Sequence, residues 1–152
     1  MAINNSQYGL IRQFSPGDLE RVVEIASDSL TEYYTNGLIL DLYETWPQGF
    51  LVFDSGFRVD GFLIGSRHTQ SEARILIFAI DQKLRNRGIG ALLMNEFIGF
   101  CGRSNFMSIR LEVRTDNDSA INFYKRFGFV ITSRLKAYYS DSSDAYTMWR
   151  IV

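Results

Sequence analysis

Cysteine is almost absent from this sequence of 152 residues, which contains only Cys101. One cysteine cannot form a disulfide within the chain, and alone it cannot build a cysteine-based metal site. No cluster of metal-ligating residues stands out elsewhere, so we expect no bound metal. Cys101 falls on the apolar side of a predicted helix and is expected in the core. The low cysteine content fits a reducing compartment, and we expect a cytoplasmic protein.

Long apolar runs are also missing. The longest one, ILIFAI (residues 75–80), is far shorter than the ~20 residues that a membrane-spanning helix needs. The N-terminus lacks the charged start and apolar stretch of a secretory signal. The formal net charge of −1 argues against a surface that wraps nucleic acid. We therefore expect neither a membrane nor a nucleic acid as partner.

The hydrophobic periodicity predicts one domain over residues 1–152 with an α+β, or mixed α/β, fold. Predicted strands cover residues 8–14, 50–54, 58–68, 73–80, 107–114, 129–139 and 145–152. Predicted helices cover residues 15–30, 37–46, 88–102 and 116–128. Ser15 is the expected N-cap of the first helix, and Gly102 the expected end of the third. The strand at 73–80 hardly alternates, so we expect it to be buried on both faces.

A turn with two glycines, RNRGIGA (residues 85–91), joins the strand that ends at Ile80 to the third helix. The first turn of a helix has free N–H groups and a partial positive charge, which favour an anion. Glycines at 88 and 90 remove the Cβ atoms that would keep a phosphate away from the backbone. Arg85 and Arg87 add positive charge. The pattern therefore indicates a phosphate site.

Different phosphate-binding motifs make different demands on this turn. A P-loop needs Lys and then Ser or Thr after the second glycine, whereas Ala91 and Leu92 follow here. A dinucleotide fingerprint needs a small residue where Leu93 stands, although Glu112 lies near the right distance for a ribose-binding acid. A glycine pair is also common in turns without any ligand. The turn alone leaves the choice open.

A second motif decides between these alternatives. The segment LEVRTDNDSAINFYKRFGF (residues 111–129) and the R-x-x-G-x-G-A spacing of the turn both resemble signatures of the GNAT superfamily of N-acetyltransferases. The segment closely resembles the RimI-like and archaeal-type branch of N-α-acetyltransferases. This resemblance implies a central twisted mixed sheet of about seven strands flanked by about four helices. It also implies transfer of an acetyl group from acetyl-CoA to the N-terminal amine of proteins or peptides, by direct attack on the thioester.

The resemblance implies which residues hold acetyl-CoA. Backbone groups of the strand end would bind the pantetheine arm, and the glycine turn would bind the pyrophosphate. Asn117 would contact coenzyme A, although Asn between a strand and a helix is also an ordinary N-cap. The implied cofactor-binding residues are Phe78, Ala79, Ile80, Arg85, Asn86, Arg87, Gly88, Ile89, Gly90, Ala91, Asn117 and Tyr124.

Glu112 is the candidate general base of the implied reaction. On its strand it shares a face with Arg110 and Arg114, since successive side chains alternate. The same pattern is also typical of a solvated charge ladder. A peptide α-amine has a pKa of about 7.7–8.0, against ~10.4 for lysine, so a modest base supplies enough free amine at neutral pH.

Tyr124 is the candidate general acid, which would protonate the leaving thiolate. A phenol with a pKa of about 10 is protonated at neutral pH and can donate. Phe123, Tyr124 and Phe127 at helical spacing also fit an ordinary aromatic core stripe.

The implied acceptor residues lie in two segments. LTEYY (residues 30–34) resembles an L-P-E-N-Y segment of the family, with Thr31 and Tyr33 in place of the proline and the asparagine. Glu32 would contact or deprotonate the incoming peptide, beside Tyr33. Tyr138 and Tyr139 precede the last hairpin turn, although a cross-strand aromatic pair is also common there.

Two other functions stay open at this point: acetylation of a small amine such as a polyamine or aminoglycoside, and non-catalytic acyl-CoA binding. An aromatic-lined groove would favour a peptide acceptor, and a deep acidic pocket a polyamine. We expect protein or peptide N-termini as substrates, ribosomal or nascent-chain proteins among them, and a monomer or weak homodimer. His68 is expected at the surface without a catalytic role.

Overall fold

The computed structural model describes residues 4–6, 9–30 and 32–152, with side chains from residue 9 onward. The strands are β1 (Asn4–Ser6), β2 (Gly9–Gln13), β3 (Phe50–Asp54), β4 (Val59–Arg67), β5 (Glu72–Ile80), β6 (Ser108–Arg114), β7 (Val130–Leu135) and β8 (Ala145–Ile151). The helices are α1 (Leu19–Ser29), α2 (Asn36–Thr45), α3 (Ile89–Arg103) and α4 (Asp118–Arg126). Tyr8, the predicted start of the first strand, lies outside the described residues, and so does Thr31.

The described strands form one sheet in the order β1-β2-β3-β4-β5-β6-β8-β7. All neighbours are antiparallel except β5 and β6, which are parallel and are connected through α3. The predicted mixed α/β fold is confirmed. The short strand β1 was not predicted, and it adds an eighth strand at the edge of the sheet.

Two hydrophobic clusters pack against the sheet. One contains Leu93 and Phe97 of α3 with Ile121 of α4, and the other contains Val22 of α1 and Ile39 of α2. Apolar stripes at helical spacing on these helices explain both clusters. Cys101 is fully buried in the first cluster, as expected.

Strand β5 contributes to both clusters, as its apolar run predicted. Ile75 packs in the α3 cluster and Ile77 in the α1 cluster, because the pairing with β4 skips Leu76. This extra residue is a β-bulge, which bends a strand and changes the direction of its side chains. Phe78 is only half-buried, because the residues beyond the bulge border an opening in the sheet.

The opening lies between β5 and β6. Their parallel pairing ends at Ile75 and Leu111, whereas β6 continues to Arg114 along β8. The last five residues of β5 therefore diverge from β6 and leave backbone groups available on that side. This gap and the helices α3 and α4 that flank it create the cavities described below.

Helix boundaries follow their capping residues. Ser15 is the N-cap of a short 3-10 turn, Pro16–Asp18, and its backbone N–H donates to the Asp18 carboxylate at 2.9 Å. Helix α1 itself begins at Leu19 with Asp18 as its N-cap, so the predicted cap lies one turn before the helix. The prediction that Gly102 ends the third helix was wrong by one residue. Gly102 keeps a helical conformation, and the left-handed residue that turns the chain is Asn105 (φ 65°).

Candidate active site

The first cavity, of about 550 Å³, lies between the end of β5, the glycine turn and α4. Phe78, Ala79 and Ile80 line it from the strand, as predicted. Arg85 and Arg126 are its charged lining residues, and none of the described residues that line it is acidic. The cavity is therefore suited to an anionic ligand.

The glycine turn presents the N-terminus of α3 to this cavity. The first bond of the helix runs from Leu92 N–H to Gly88 C=O at 3.1 Å. The N–H groups of Ile89, Gly90 and Ala91 thus have no helical acceptor, and all three residues line the cavity. Gly88 has φ +85°, in the left-handed region, and a Cβ there would meet nothing within 4 Å. Glycine is therefore required at 88 by the backbone conformation and not by crowding.

The arginines of the turn differ in position. Arg85 lines the cavity, and its Nε donates to the carbonyl of Ile80 at 3.4 Å. Arg87 is exposed and is not among the residues that line the cavity. Arg126, which was not predicted, supplies the second lining charge, because the first apolar cluster holds the α4 side chains next to the turn. Asn86 lines the cavity in a left-handed conformation, with φ 64°.

Asn117 is the N-cap of α4 and also lies in the cavity wall. Its side-chain oxygen accepts from Ala120 N–H at 3.1 Å and caps α4. It also lines the first cavity and a second one beside it.

The second cavity, of about 250 Å³, occupies the gap between β5 and β6. It shares Phe78, Asn117 and Tyr124 with the first cavity, so the two meet at these residues. Glu32 and Glu112 line it, and the predicted catalytic residues are therefore brought together. A donor in the first cavity and an acceptor in the second would therefore meet at these residues.

Tyr124 stands where the two cavities meet. It is half-buried, and its ring packs against those of Phe78, Phe123 and Phe129. Burial raises the pKa of its phenol, because the charged form loses hydration, and the neighbouring Tyr139 adds to this shift. The phenol therefore stays protonated at neutral pH and can donate a proton. The predicted aromatic stripe and the predicted general acid are compatible.

Glu112 is held by two arginines. Arg74 Nε donates to Oε1 at 2.7 Å, and Arg110 Nη2 donates to Oε2 at 3.1 Å. The Glu112 side chain is only 6% exposed, so these pairs compensate a buried charge. This arrangement replaces the solvated charge ladder considered from the sequence, and Arg74 is a partner that the sequence did not reveal. A carboxylate oxygen of Glu112 would accept a proton from an amine either directly, on a remaining lone pair, or through a water.

Glu32 ties the loop after α1 to the turn between β7 and β8. Ser140 Oγ donates to Glu32 Oε2 at 2.8 Å, and Arg114 Nη2 donates to Oε1 at 3.3 Å. Arg114 also pairs with Asp141 at 2.9 Å and lies over the Tyr139 ring at 4.3 Å. Two loops far apart in sequence thus form one wall of the second cavity.

The predicted tyrosines divide into cavity and surface residues. Tyr139 lines the second cavity, and burial raises its pKa to about 12. Tyr138 is 42% exposed and accepts from Arg74 Nη2 at 2.9 Å. Tyr33 is 84% exposed, and the next residue, Tyr34, lines the cavity instead. Tyr33, which was predicted to bind the substrate, therefore does not line the cavity.

His68 is exposed, as expected, and contacts Arg110 at 3.3 Å. No group of histidine, cysteine and acidic residues that could hold a metal occurs among the described residues. In the same part of the chain, no helix has the length and hydropathy required to cross a bilayer.

The first cavity fits acetyl-CoA, the cofactor implied by the resemblance. Three unbonded N–H groups at the start of α3 and the side chain of Arg85 match a pyrophosphate. The divergent end of β5 offers backbone groups to an extended amide-containing arm. Solved relatives of this fold contain acetyl-CoA or coenzyme A.

Comparison with known proteins supports the same assignment. The profile of the "Acetyltransferase (GNAT) family" matches residues 19–129. An uncharacterized N-acetyltransferase of Methanocaldococcus jannaschii is 34% identical, covering 91% of this chain and 89% of that protein. An N-alpha-acetyltransferase of Sulfolobus acidocaldarius is 30% identical with the same coverage. A putative ribosomal protein bS18 alanine N-acetyltransferase of Bacillus subtilis is 28% identical, covering 91% of this chain and 93% of that protein.

Two solved structures are similar over almost the whole chain. Ard1 from Thermoplasma volcanium is 57% identical, with a TM-score of 0.94, covering 95% of this chain and 98% of that one. Naa20 from Chaetomium thermophilum, solved with a bisubstrate analogue, is 29% identical, with a TM-score of 0.84 and coverage of 93% and 86%. Motifs, fold, cavities and relatives agree: this chain belongs to the GNAT family and is an acetyl-CoA-dependent N-acetyltransferase.

Proposed function

We propose that this enzyme acetylates the free N-terminal α-amine of proteins or peptides. The observation that carries the proposal is the composition of the second cavity. Its aromatic lining comes from Phe78, Tyr34, Tyr124 and Tyr139, and its carboxylates are paired with arginines. The N-alpha-acetyltransferase of Sulfolobus acidocaldarius and the solved Ard1 and Naa20 structures support the same acceptor class.

The paired carboxylates disfavour a polyamine. Glu32 is bonded to Arg114, and Glu112 to Arg74 and Arg110, so the cavity offers no excess negative charge to a polycation. A peptide N-terminus brings one amine and a backbone of hydrogen-bonding groups, which suits an aromatic groove with a few polar contacts.

The chemistry needs only modest help from the protein. Acetyl-CoA supplies the activated acyl group when it is bound. At neutral pH about a tenth of the α-amines with a pKa of ~7.7–8.0 are already unprotonated. Glu112, on the β6 side of the gap, would accept the proton that the attacking nitrogen releases. Tyr124, where the two cavities meet, would donate a proton to the sulfur that leaves.

The physiological acceptors that we propose are ribosomal or nascent-chain proteins in the cytoplasm. The relative from Bacillus subtilis, which is named for the alanine of a ribosomal protein, supports this class. We further propose that the enzyme acts without a membrane or nucleic-acid partner, as a monomer or weak homodimer.

Acetylation of peptides tests the acceptor class. We expect acetyl transfer to decapeptides with a free α-amine and varied first residues, because the second cavity is open to a chain end. The same peptides with a blocked N-terminus and an internal lysine, together with spermidine and an aminoglycoside, serve as controls. Mass spectrometry locates the acetyl group. Equal transfer to spermidine or to the internal lysine would contradict the proposal.

Replacement of Gly88 by alanine tests the donor site. The left-handed backbone at this position costs an L-residue about 1–2 kcal/mol, and relief of that strain would turn the free N–H groups away. We expect acetyl-CoA affinity, measured by calorimetry, to fall about tenfold. Gly56→Ala is the matched control, because Gly56 also has a left-handed φ and open space but lies in the turn between β3 and β4. Equal loss of affinity in both variants would remove the turn from the donor site.

Replacement of Glu112 by glutamine tests the proton acceptor. We expect kcat to fall by about 100-fold, the lower range for loss of a general base, with acetyl-CoA affinity unchanged. Glu96→Gln is the control, since Glu96 is also a buried carboxylate paired with an arginine, at 2.7 Å, but lies outside both cavities. An unchanged kcat in Glu112→Gln, or the same fall in both variants, would show that Glu112 takes no proton.

Replacement of Tyr124 by phenylalanine tests the proton donor. The ring contacts remain and only the hydroxyl is lost, so we expect kcat to fall by about tenfold or more while the melting temperature stays within a few degrees. Tyr43→Phe is the control, because Tyr43 packs against Phe14 and Phe50 and lines neither cavity. Turnover equal to that of the wild type would leave Tyr124 with a packing role alone.

A further inference from the structure

Arg21 of α1 is hydrogen-bonded to the start of β4, at Val59 and Asp60, and to Asp81, the residue that follows β5. Its Nε donates to the carbonyl of Val59 at 2.7 Å. Its Nη2 pairs with Asp81 at 2.5 Å and with Asp60 at 3.4 Å. The side chains of Arg21, Asp60 and Asp81 are 15%, 8% and 14% exposed, so this network is well shielded from water. None of the three residues touches the first cavity.

Asp81 is the first residue after β5 and organises the turn that follows. Its N–H donates to the carbonyl of Asp60 at 2.9 Å, and its Oδ1 accepts from Lys83 N–H at 2.9 Å. Its own carbonyl accepts from Leu84 N–H at 2.9 Å. The hydrogen bond from Arg21 is the main cause that lowers the pKa of Asp81, so the carboxylate stays ionised. The turn that starts here leads directly to Arg85 and Gly88.

The end of α1 is hydrogen-bonded to the same segment. Ser29 Oγ donates to the carbonyl of Ile80 at 3.3 Å, and the Gln82 side-chain amide donates to the carbonyl of Asp28. Ser29 lines both cavities, as does Leu30. Helix α1 therefore carries Arg21 at its start and part of the cavity wall at its end. A rigid helix between these points fixes the distance from the network to the cavity.

We propose that Arg21 is a positioning residue for the donor site: it holds Asp81, and through Asp81 the turn from Gln82 to Gly88 that presents the α3 N–H groups to the pyrophosphate. A site for a charged group must be held within a fraction of an ångström by the residues behind it. The glycine turn has two left-handed residues, Asn86 and Gly88, so it needs such support. The proposal rests on acetyl-CoA occupying the first cavity, and not on which amine is acetylated.

Calorimetric titration of acetyl-CoA into variants tests the proposal. We expect the Kd of Arg21→Gln to rise about tenfold, since Asp81 loses its shorter ion pair and retains only Arg58 at 3.6 Å. The kcat at saturating acetyl-CoA, measured with any amine that the wild type acetylates, should stay within about twofold, because Arg21 touches neither reacting group. Arg21→Lys retains one ion pair and should restore part of the affinity. Asp81→Asn keeps the acceptor for Lys83 N–H but loses the charge. If Arg21→Gln does not fold, the Kd of Asp81→Asn for acetyl-CoA tests the proposal instead.

Arg12→Gln is the matched control. Arg12 also joins the sheet to the start of α1, through Asp18 at 2.8 Å and Asp54 at 3.0 Å, but it lines neither cavity. We expect a comparable loss of melting temperature and a Kd that stays within about twofold. An unchanged Kd in both Arg21→Gln and Asp81→Asn, or an equal rise in Arg12→Gln, would overturn the proposal. Failure of the wild type to bind acetyl-CoA would instead contradict the assignment of the first cavity as the donor site.

Discussion

The rest of this structure depends on the divergence of β5 and β6. One extra residue, Leu76, changes the register of β5 against β4, and the pairing of β5 with β6 ends at Ile75. Backbone groups in a sheet are normally paired, so an interrupted ladder offers free groups to a ligand. The gap also lets α3 and α4 approach the strand end with Gly88 and Tyr124. Donor cavity, acceptor cavity and their junction all follow from this single interruption.

Charge is distributed unevenly along the opening. The donor cavity has arginines and helix N–H groups without an acid in its described wall, whereas each carboxylate of the acceptor cavity has an arginine partner. The positive donor cavity suits a doubly anionic pyrophosphate, and the charge-paired acceptor cavity suits a single amine. The arginine pairs also fix Glu32 and Glu112 in place, because a buried carboxylate without a partner would be costly. The electrostatics of the site thus depend on guanidinium groups as much as on the predicted catalytic residues.

Local sequence signals predicted the parts of the site that depend on local structure. Gly88 was identified from the turn that it permits, Asn117 from its position before a helix, and the face of Glu112 from strand alternation. The register shift at Leu76 could not be predicted, since the run ILIFAI gives no signal for an unpaired residue. Tyr34 was missed because replacements in its loop obscured which tyrosine faces inward.

Partners far apart in sequence were beyond sequence reasoning. Arg74 meets Glu112 only because β5 and β6 are parallel neighbours, and Ser140 meets Glu32 across 108 positions. Arg21 belongs to the same group, since its helix gives no indication that Asp81 lies opposite. Arg114 shares the face of Glu112, as predicted, but bonds to Glu32 and Asp141 instead. In each case the fold, and not the local pattern, selects the partner.

A crystal structure with a bisubstrate analogue, coenzyme A joined through an acetyl group to the α-amine of a peptide, would test the central claim most directly. We predict that the pyrophosphate lies on the N–H groups of residues 89–91 and that the pantetheine arm follows residues 78–80. The acetyl linkage should lie beside Tyr124, and the peptide should leave between the Glu32 loop and the Tyr139 turn. A pantetheine arm bound outside the gap between β5 and β6, or a peptide that leaves on the α3 side of the sheet, would contradict the account.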